Sequence, residues 1–272
     1  MGTLVVFHAH PDDEAIATGG SMARAHAEGH RVVLVVATHG EHGEVPEDLA
    51  DGETLADRRR VETERSAAAL GVDRLVWLGY ADSGMTGWEA NLNEESFWKA
   101  DVDEAAARLA AILREESADV LTIYDWHGNY GHPDHIKVHQ VGCRAEQMVA
   151  DELPGLRVFE ATMNRDEIKR QMAMAREAGE EFGPDGDFDP DGPMDDGNPM
   201  GMTEDELTLV VDVSDFVRSK HASISSHASQ VTDAGFFTGM SDEAFAFAFG
   251  REWFIEHGRE AGLRPGWLFE DV

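Results

Sequence analysis

The stretch "TLVVFHAHPDDEAIATGG", residues 3–20, decides how this chain is read. Residues 3–8 form a short apolar run that predicts a buried strand, and residues 14–28 predict a helix. The same alternation continues downstream. "RVVLVVAT" (31–38), "RLVWLG" (74–79) and "DVLTIYD" (119–125) predict strands. Helices are expected over about 55–70, 101–116 and 134–150. Continuous Val/Leu/Ile runs separated by amphipathic helices indicate a mostly parallel sheet covered on both faces. The expected fold is therefore α/β, Rossmann-like and doubly wound. No G-x-G-x-x-G follows the first strand, so a dinucleotide site lacks its fingerprint.

Beyond residue 150 the pattern weakens. "GLRVFEAT" (155–162) and "LTLVVDVS" (207–214) predict strands. Helices are expected over 164–178, near 215–227 and over 241–258. Residues 181–202 are rich in Gly, Pro and Asp and read as an acidic loop, either solvated or closing over a site. Its Asp185, Asp187, Asp189 and Asp191 are spaced like the start of a calcium loop, but Pro190 replaces the required glycine. Residues 1–272 are read as one domain: a core over 1–150 and a decorated C-terminal third over 151–272.

The net charge is -32, from 54 acids against 22 Lys plus Arg. Such a surface disfavours nucleic acid and anionic membranes as partners and favours solubility, as in proteins of salt-loving organisms. A single cysteine, Cys143, excludes an internal disulfide and a cysteine-based zinc finger. There is no apolar run of membrane-spanning length and no basic segment followed by a signal core. The expectation is a cytoplasmic protein that acts on a small molecule, with a homo-oligomer left open. No G-x-S-x-G elbow is present, which disfavours a serine hydrolase.

Two segments carry chemistry. The first strand runs into His10-Pro11-Asp12 and the fourth into His132-Pro133-Asp134. Proline suits a first helical position and acids suit a first turn, so capping explains those two residues. It does not explain the histidines. Strand ends of a parallel sheet share one edge, where ligands bind. If strands one and four are neighbours, His10, Asp12 and Asp13 meet His132 and His135 there. Two imidazoles and a carboxylate make a hydrolytic zinc site with a position left for water. They also make a ferrous facial triad, the main chemical rival. Spacing alone does not choose among His8, His10, Asp12, Asp13, His127, His132, His135 and His139.

"AHPDDE" (9–14) with "YGHPDH" (130–135) resembles the LmbE/PIG-L family of zinc-dependent N-acetylglucosaminyl deacetylases. Within it, the closest resemblance is to the branch of mycothiol deacetylases and mycothiol S-conjugate amidases. It extends to "GEHGEV" (40–45), Arg59 and Glu62, "DSGM" (82–85) and "HASQ" (227–230), and covers most of residues 3–150. The resemblance implies His10, Asp13 and His135 as ligands of one Zn2+ per chain, with Fe2+ as the other metal to consider. It implies Asp12 as general base and His132 as a cation stabilising the oxyanion or protonating the amine. Asp134 would support His132, Tyr130 would be a mobile active-site tyrosine, and Arg59 and Asp82 would contact the sugar or cyclitol. The implied reaction removes an N-acyl group, acetyl by expectation, from an amino sugar or its conjugate. A non-haem Fe(II) enzyme and a non-catalytic sugar-conjugate binder are the alternatives. The amidase branch carries a lysine just beyond "HPDDE", where this chain has "AIATGG". That departure argues against the amidase. His8 is expected to pack, Cys143 to fill space in its helix, and Trp126 to wall the pocket or join the core.

Overall fold

The computed structural model describes residues 1–178, 188–230 and 239–270. Strands β1 (Thr3–His8), β2 (Arg31–Thr38), β3 (Arg74–Tyr80), β4 (Val120–Tyr124) and β5 (Arg157–Thr162) are mutually parallel where they pair. Strand β7 (Arg251–Glu256) runs antiparallel between β5 and β6 (Leu209–Asp212), and β8 (Arg264–Gly266) adds parallel to β6. One eight-stranded sheet results, in the order β3-β2-β1-β4-β5-β7-β6-β8. Its first five strands have the doubly wound order expected from the sequence. β1 and β4 are hydrogen-bonded neighbours, so the strand order reverses between them.

Each central strand is buried on both faces, and successive residues feed two different cores. Val5, Phe7, Val33 and Val35 pack with Leu109 of α4 (Val102–Glu116) and Val138 of α6 (Pro133–Val149). Leu4, Val6, Val32 and Leu34 pack on the other face with Met22 of α2 (Gly19–Ala27) and with Phe254 of β7. Helix α3 (Leu55–Leu70) starts at a Thr54–Asp57 capping box and stops at Gly71, whose φ of 74° suits glycine. Helices α7 (Arg165–Ala178), α8 (Val217–Ser226) and α9 (Asp242–Phe249) belong to the C-terminal third. No described helix is long and apolar enough to cross a membrane.

Three expectations need correction. The helix expected over 14–28 is two, α1 (Asp13–Ala17) and α2, broken at Thr18, whose Oγ1 lies 2.8 Å from His8 Nε2. The helix expected over 241–258 ends at Phe249, and the next residues form β7. Pro11 does not open a helix, because Asp12 is the N-cap of α1 and the helix begins at Asp13. A short turn, α5 (Gly128–Gly131), was not anticipated. Of the acidic loop, Asp185 and Asp187 lie outside the described residues. Its later part folds over α5, where Gly201 N–H donates to Asn129 O at 2.7 Å and Asp195 N–H to Tyr130 O at 3.1 Å.

Candidate metal centre

At the carboxyl ends of β1 and β4, the two His-Pro-Asp turns face each other. His10 Nδ1 lies 3.3 Å from His135 Nε2 and 3.4 Å from Asp13 Oδ2. His135 Nε2 lies 3.3 Å from Asp13 Oδ1. Ligands about 2.0–2.1 Å from a tetrahedral zinc stand roughly 3.3–3.4 Å apart. The two imidazoles stand one such edge apart, and the Asp13 carboxylate sits across both, one oxygen toward each. Each imidazole is held from its other nitrogen. His135 Nδ1 is 3.2 Å from Gly128 O, and His10 Nε2 faces Asp134 Oδ2 at 3.3 Å and Asp82 Oδ1 at 3.5 Å. A carbonyl or carboxylate behind the far nitrogen is the usual support of a metal-binding histidine. Gly128 has a φ of 68°, and a Cβ there would come within 2.3 Å of His135 Cβ, so glycine is required on both counts.

The charges also fit a cation. Burial opposes charge on His10, but Asp82, Asp13 and Asp134 around it hold its pKa well above the ordinary value. Burial pushes the Asp13 carboxyl up, and His135 and His10 outweigh it and draw it well below the usual range. Asp134 Oδ1 is buried without a partner. Among the described residues lining the cavity, Arg59 is the one arginine or lysine, against Asp12, Asp13, Asp82 and Glu44. A dication would offset that excess. His132 brings a third imidazole, its ligating nitrogen within 4.8 Å of those of His10 and His135.

Asp12 stands apart from this set. Its φ is 84° and ψ -33°, a conformation costly for a residue with a Cβ. Arg59 holds that turn: Nη2 donates to Pro11 O at 2.6 Å and to Asp12 Oδ2 at 2.8 Å, and Nη1 to Gly40 O at 2.9 Å. Burial raises the Asp12 pKa to about 6, although Arg59 pulls the other way. A carboxyl near that value can accept and release a proton around neutrality.

His132 caps α6: its Nδ1 accepts from Asp134 N–H at 3.1 Å. Burial, with His10 and His135 nearby, pushes its pKa down to about 2. A neutral imidazole that accepts at Nδ1 carries its proton on Nε2. The side chain of Asp134 reaches His10, and only its backbone N–H reaches His132. Its Oδ2 also accepts from Ser83 N–H at 2.9 Å. Tyr130 OH lies 3.5 Å from His135 Nε2. Asp82 accepts from Gly84 N–H and His42 N–H.

His8 is buried between Tyr124 OH, 2.6 Å from its Nδ1, and Thr18, as its packing role requires. Burial lowers its pKa to about 4. His127 is buried against the acidic loop, its Nδ1 3.5 Å from Asp196 Oδ2, and His139 lies one turn beyond His135. Trp126 is half exposed and neither walls the cavity nor joins the core.

Sequence reasoning gave no role to Glu14. It is fully buried, with Oε1 2.7 Å from His227 Nε2 and accepting from Ser66 Oγ, which meets Ser223 Oγ at 2.6 Å. The network joins α1 to α3 and α8. Its signal was "HASQ", where His227 had been noticed without a function. The cavity above the centre holds about 550 Å³, within the range of small-molecule sites. Trp88, Met163 and Met200 give it apolar walls, and Glu44 and Gln230 a polar side.

Residues 5–146 match the family model described as PIG-L, GlcNAc-PI de-N-acetylase. A relative from Thermobifida fusca is 40% identical over 96% of this chain and 95% of its own length, and one from Thermomonospora curvata is 37% identical over 97% and 96%. Both carry the name 1D-myo-inositol 2-acetamido-2-deoxy-alpha-D-glucopyranoside deacetylase. Among solved structures, N,N'-diacetylchitobiose deacetylase from Pyrococcus horikoshii is 24% identical with a TM-score of 0.59, covering 94% of this chain and 83% of that one. The 4-carboxy-2-hydroxymuconate hydratase GalB from a pseudomonad has a TM-score of 0.57 at 15% identity, covering 96% and 98%. Those two likenesses show the fold, which serves unlike chemistries.

Proposed function

The chain belongs to the PIG-L family and is an amide hydrolase acting on carbon–nitrogen bonds other than peptide bonds, and from that premise we propose that it removes the acetyl group from an N-acetylglucosamine joined to inositol. The observation that carries the mechanism is the spacing of His10, Asp13 and His135 beside an Asp12 that is tied to Arg59 rather than to them. These three residues would hold one zinc ion, which supplies a water acidified toward a pKa of ~7 and polarises the amide carbonyl. Asp12, its carboxyl pushed up to about 6, is the side chain placed to take a proton from the attacking water. Its second oxygen stays on Arg59, so the base keeps one orientation through the transfer. His132 Nε2–H donates to the carbonyl oxygen as charge builds there, and Tyr130 OH is a second donor beside it. The proton taken up by Asp12 then passes to the departing amine. A spare, oriented carboxylate is what hydrolysis needs and what a ferrous oxygenase or a pure binder does not.

The cavity would take a sugar against the Trp88 side, with Arg59 in its lining beside Asp12 and Asp82 beside His10. The test is release of free amine from N-acetylglucosaminyl-inositol, followed with and without a chelator. Chelation abolishes release, and Asp12→Asn slows it by about 10²–10⁴-fold while leaving the bound metal in place. Full activity of Asp12→Asn overturns the assignment. Metal analysis of protein purified without added zinc decides zinc against iron.

A further inference from the structure

One helical turn below His135, α6 carries a second group of metal-binding side chains that the reaction does not use. His139, Cys143 and Glu160 have ligand atoms within 4.8 Å of one another. Cys143 Sγ lies 3.6 Å from His139 Nε2. In a tetrahedral zinc site with bonds near 2.3 Å to sulfur and 2.0–2.1 Å to nitrogen, that edge is roughly 3.5–3.6 Å. His257, the residue after β7, joins from the other side: its Nε2 lies 2.9 Å from Glu160 Oε1. We propose that His139, Cys143, Glu160 and His257 form a second metal site, for a zinc-like divalent cation, that fastens α6 to β5 and to the end of β7.

Without a metal His257 bridges Glu146 and Glu160 as an ion pair, and the same contacts supply hydrogen bonds behind the ligands. His139 Nδ1 donates to Tyr124 O at 3.1 Å, and His257 Nδ1 faces Glu146 Oε2 at 2.8 Å. His257 is thus tied at Nδ1 to a carboxylate and turns Nε2 to Glu160, whereas His139 turns Nε2 to Cys143 and keeps Nδ1 on Tyr124 O, with Glu160 Oε1 3.5 Å from that same Nδ1. A partner at the far nitrogen is what fixes tautomer and orientation in metal-binding histidines. Sulfur, two imidazoles and one carboxylate are a donor set for zinc rather than for calcium or magnesium. Binding releases the thiol proton. The 2.9 Å contact between His257 and the buried Glu160 has to open to roughly 3.3–3.4 Å, a side-chain adjustment that the partly exposed His257 can make.

Cys143 is the only cysteine in the chain, so its alkylation reads this site alone. Zinc added to metal-free protein is expected to slow alkylation of Cys143, to the same degree in Asp13→Ala, where the catalytic centre is disabled. Glu146→Gln should weaken the protecting zinc by about 10–100-fold, and His257→Gln should remove the protection. With cobalt in place of zinc, a thiolate-to-metal charge-transfer band should appear in wild type and vanish in Cys143→Ser. The deacetylase activity of Cys143→Ser should remain. Alkylation that zinc leaves unchanged, or protection that disappears with Asp13→Ala, overturns the proposal. The assignment of the catalytic centre stands or falls separately.

Discussion

The two His-Pro-Asp turns share three letters and are built differently. In the second, His132 is the N-cap of α6, Pro133 is the first helical residue, and the cap bond closes within the motif. That turn is stable by local rules. In the first, everything is shifted. His10 and Pro11 precede the helix, Asp12 is the N-cap in a left-handed conformation, and no side chain caps α1. The first turn is held from outside, by Arg59 on α3 and by the Glu14–His227–Ser66 cluster. The difference teaches where strain is kept. The turn that carries Asp12 is costly and braced by distant residues, whereas the turn that carries His132 supports itself.

The sharpest way to break this contrast is at Arg59. Arg59→Ala should lower kcat/KM by about 10²-fold through misplacement of Asp12, read from steady-state kinetics. Arg59→Lys should recover little, since one ammonium cannot span Pro11 O, Gly40 O and Asp12 together. The equivalent cut in the second turn should be milder and of another kind. Asp134→Ala leaves the backbone cap intact but removes the carboxylate behind His10, so metal affinity should fall by about 10-fold or more in a competition with a fluorescent chelator. Equal damage to kcat and metal affinity in both variants would merge the two turns into one functional class.

The smallest expected effect sharpens the contrast through pH. Burial lowers the pKa of His227, but Glu14 beside it raises it overall above 6.5. A group whose folded pKa is raised adds stability that is complete below its unfolded pKa and fades as pH climbs through the folded one. The Tm gap between wild type and His227→Gln should therefore be widest below pH 6.5 and narrow as the pH rises. A gap independent of pH would mean that the brace works by packing alone.

The central sheet was legible because its strands are buried on both faces and written in Val, Leu and Ile. That His10, Asp12 and Asp13 meet His132 and His135 was legible too, given that β1 and β4 are adjacent, whereas the narrower choice of His10, Asp13 and His135 came from the family resemblance and not from spacing. Strand β7 was not. Its inward residues are Glu252, Phe254 and Glu256, and two acids on the buried face hide the alternation that marks a strand. Glu252 is stable there because Gly20 N–H and Ser21 N–H each donate to it at 2.8 Å, with Lys220 Nζ at 2.7 Å. Those partners lie far away in sequence. The one-residue shift of the first turn was hidden for the same reason: Arg59 and Glu14 set it, and local propensity does not.

Glu252 also bears on how the chain is made. The amides it satisfies are at the start of α2, 232 and 231 residues earlier. As the protein is synthesised, both His-Pro-Asp motifs emerge well before the residue that completes the N-terminus of α2. Contacts of such separation are paid for in loop entropy before they return anything, and they slow folding. The growing chain therefore carries its reactive centre in an unfinished scaffold, and a ribosome stalled before residue 252 leaves two buried donors and one lysine without their shared carboxylate.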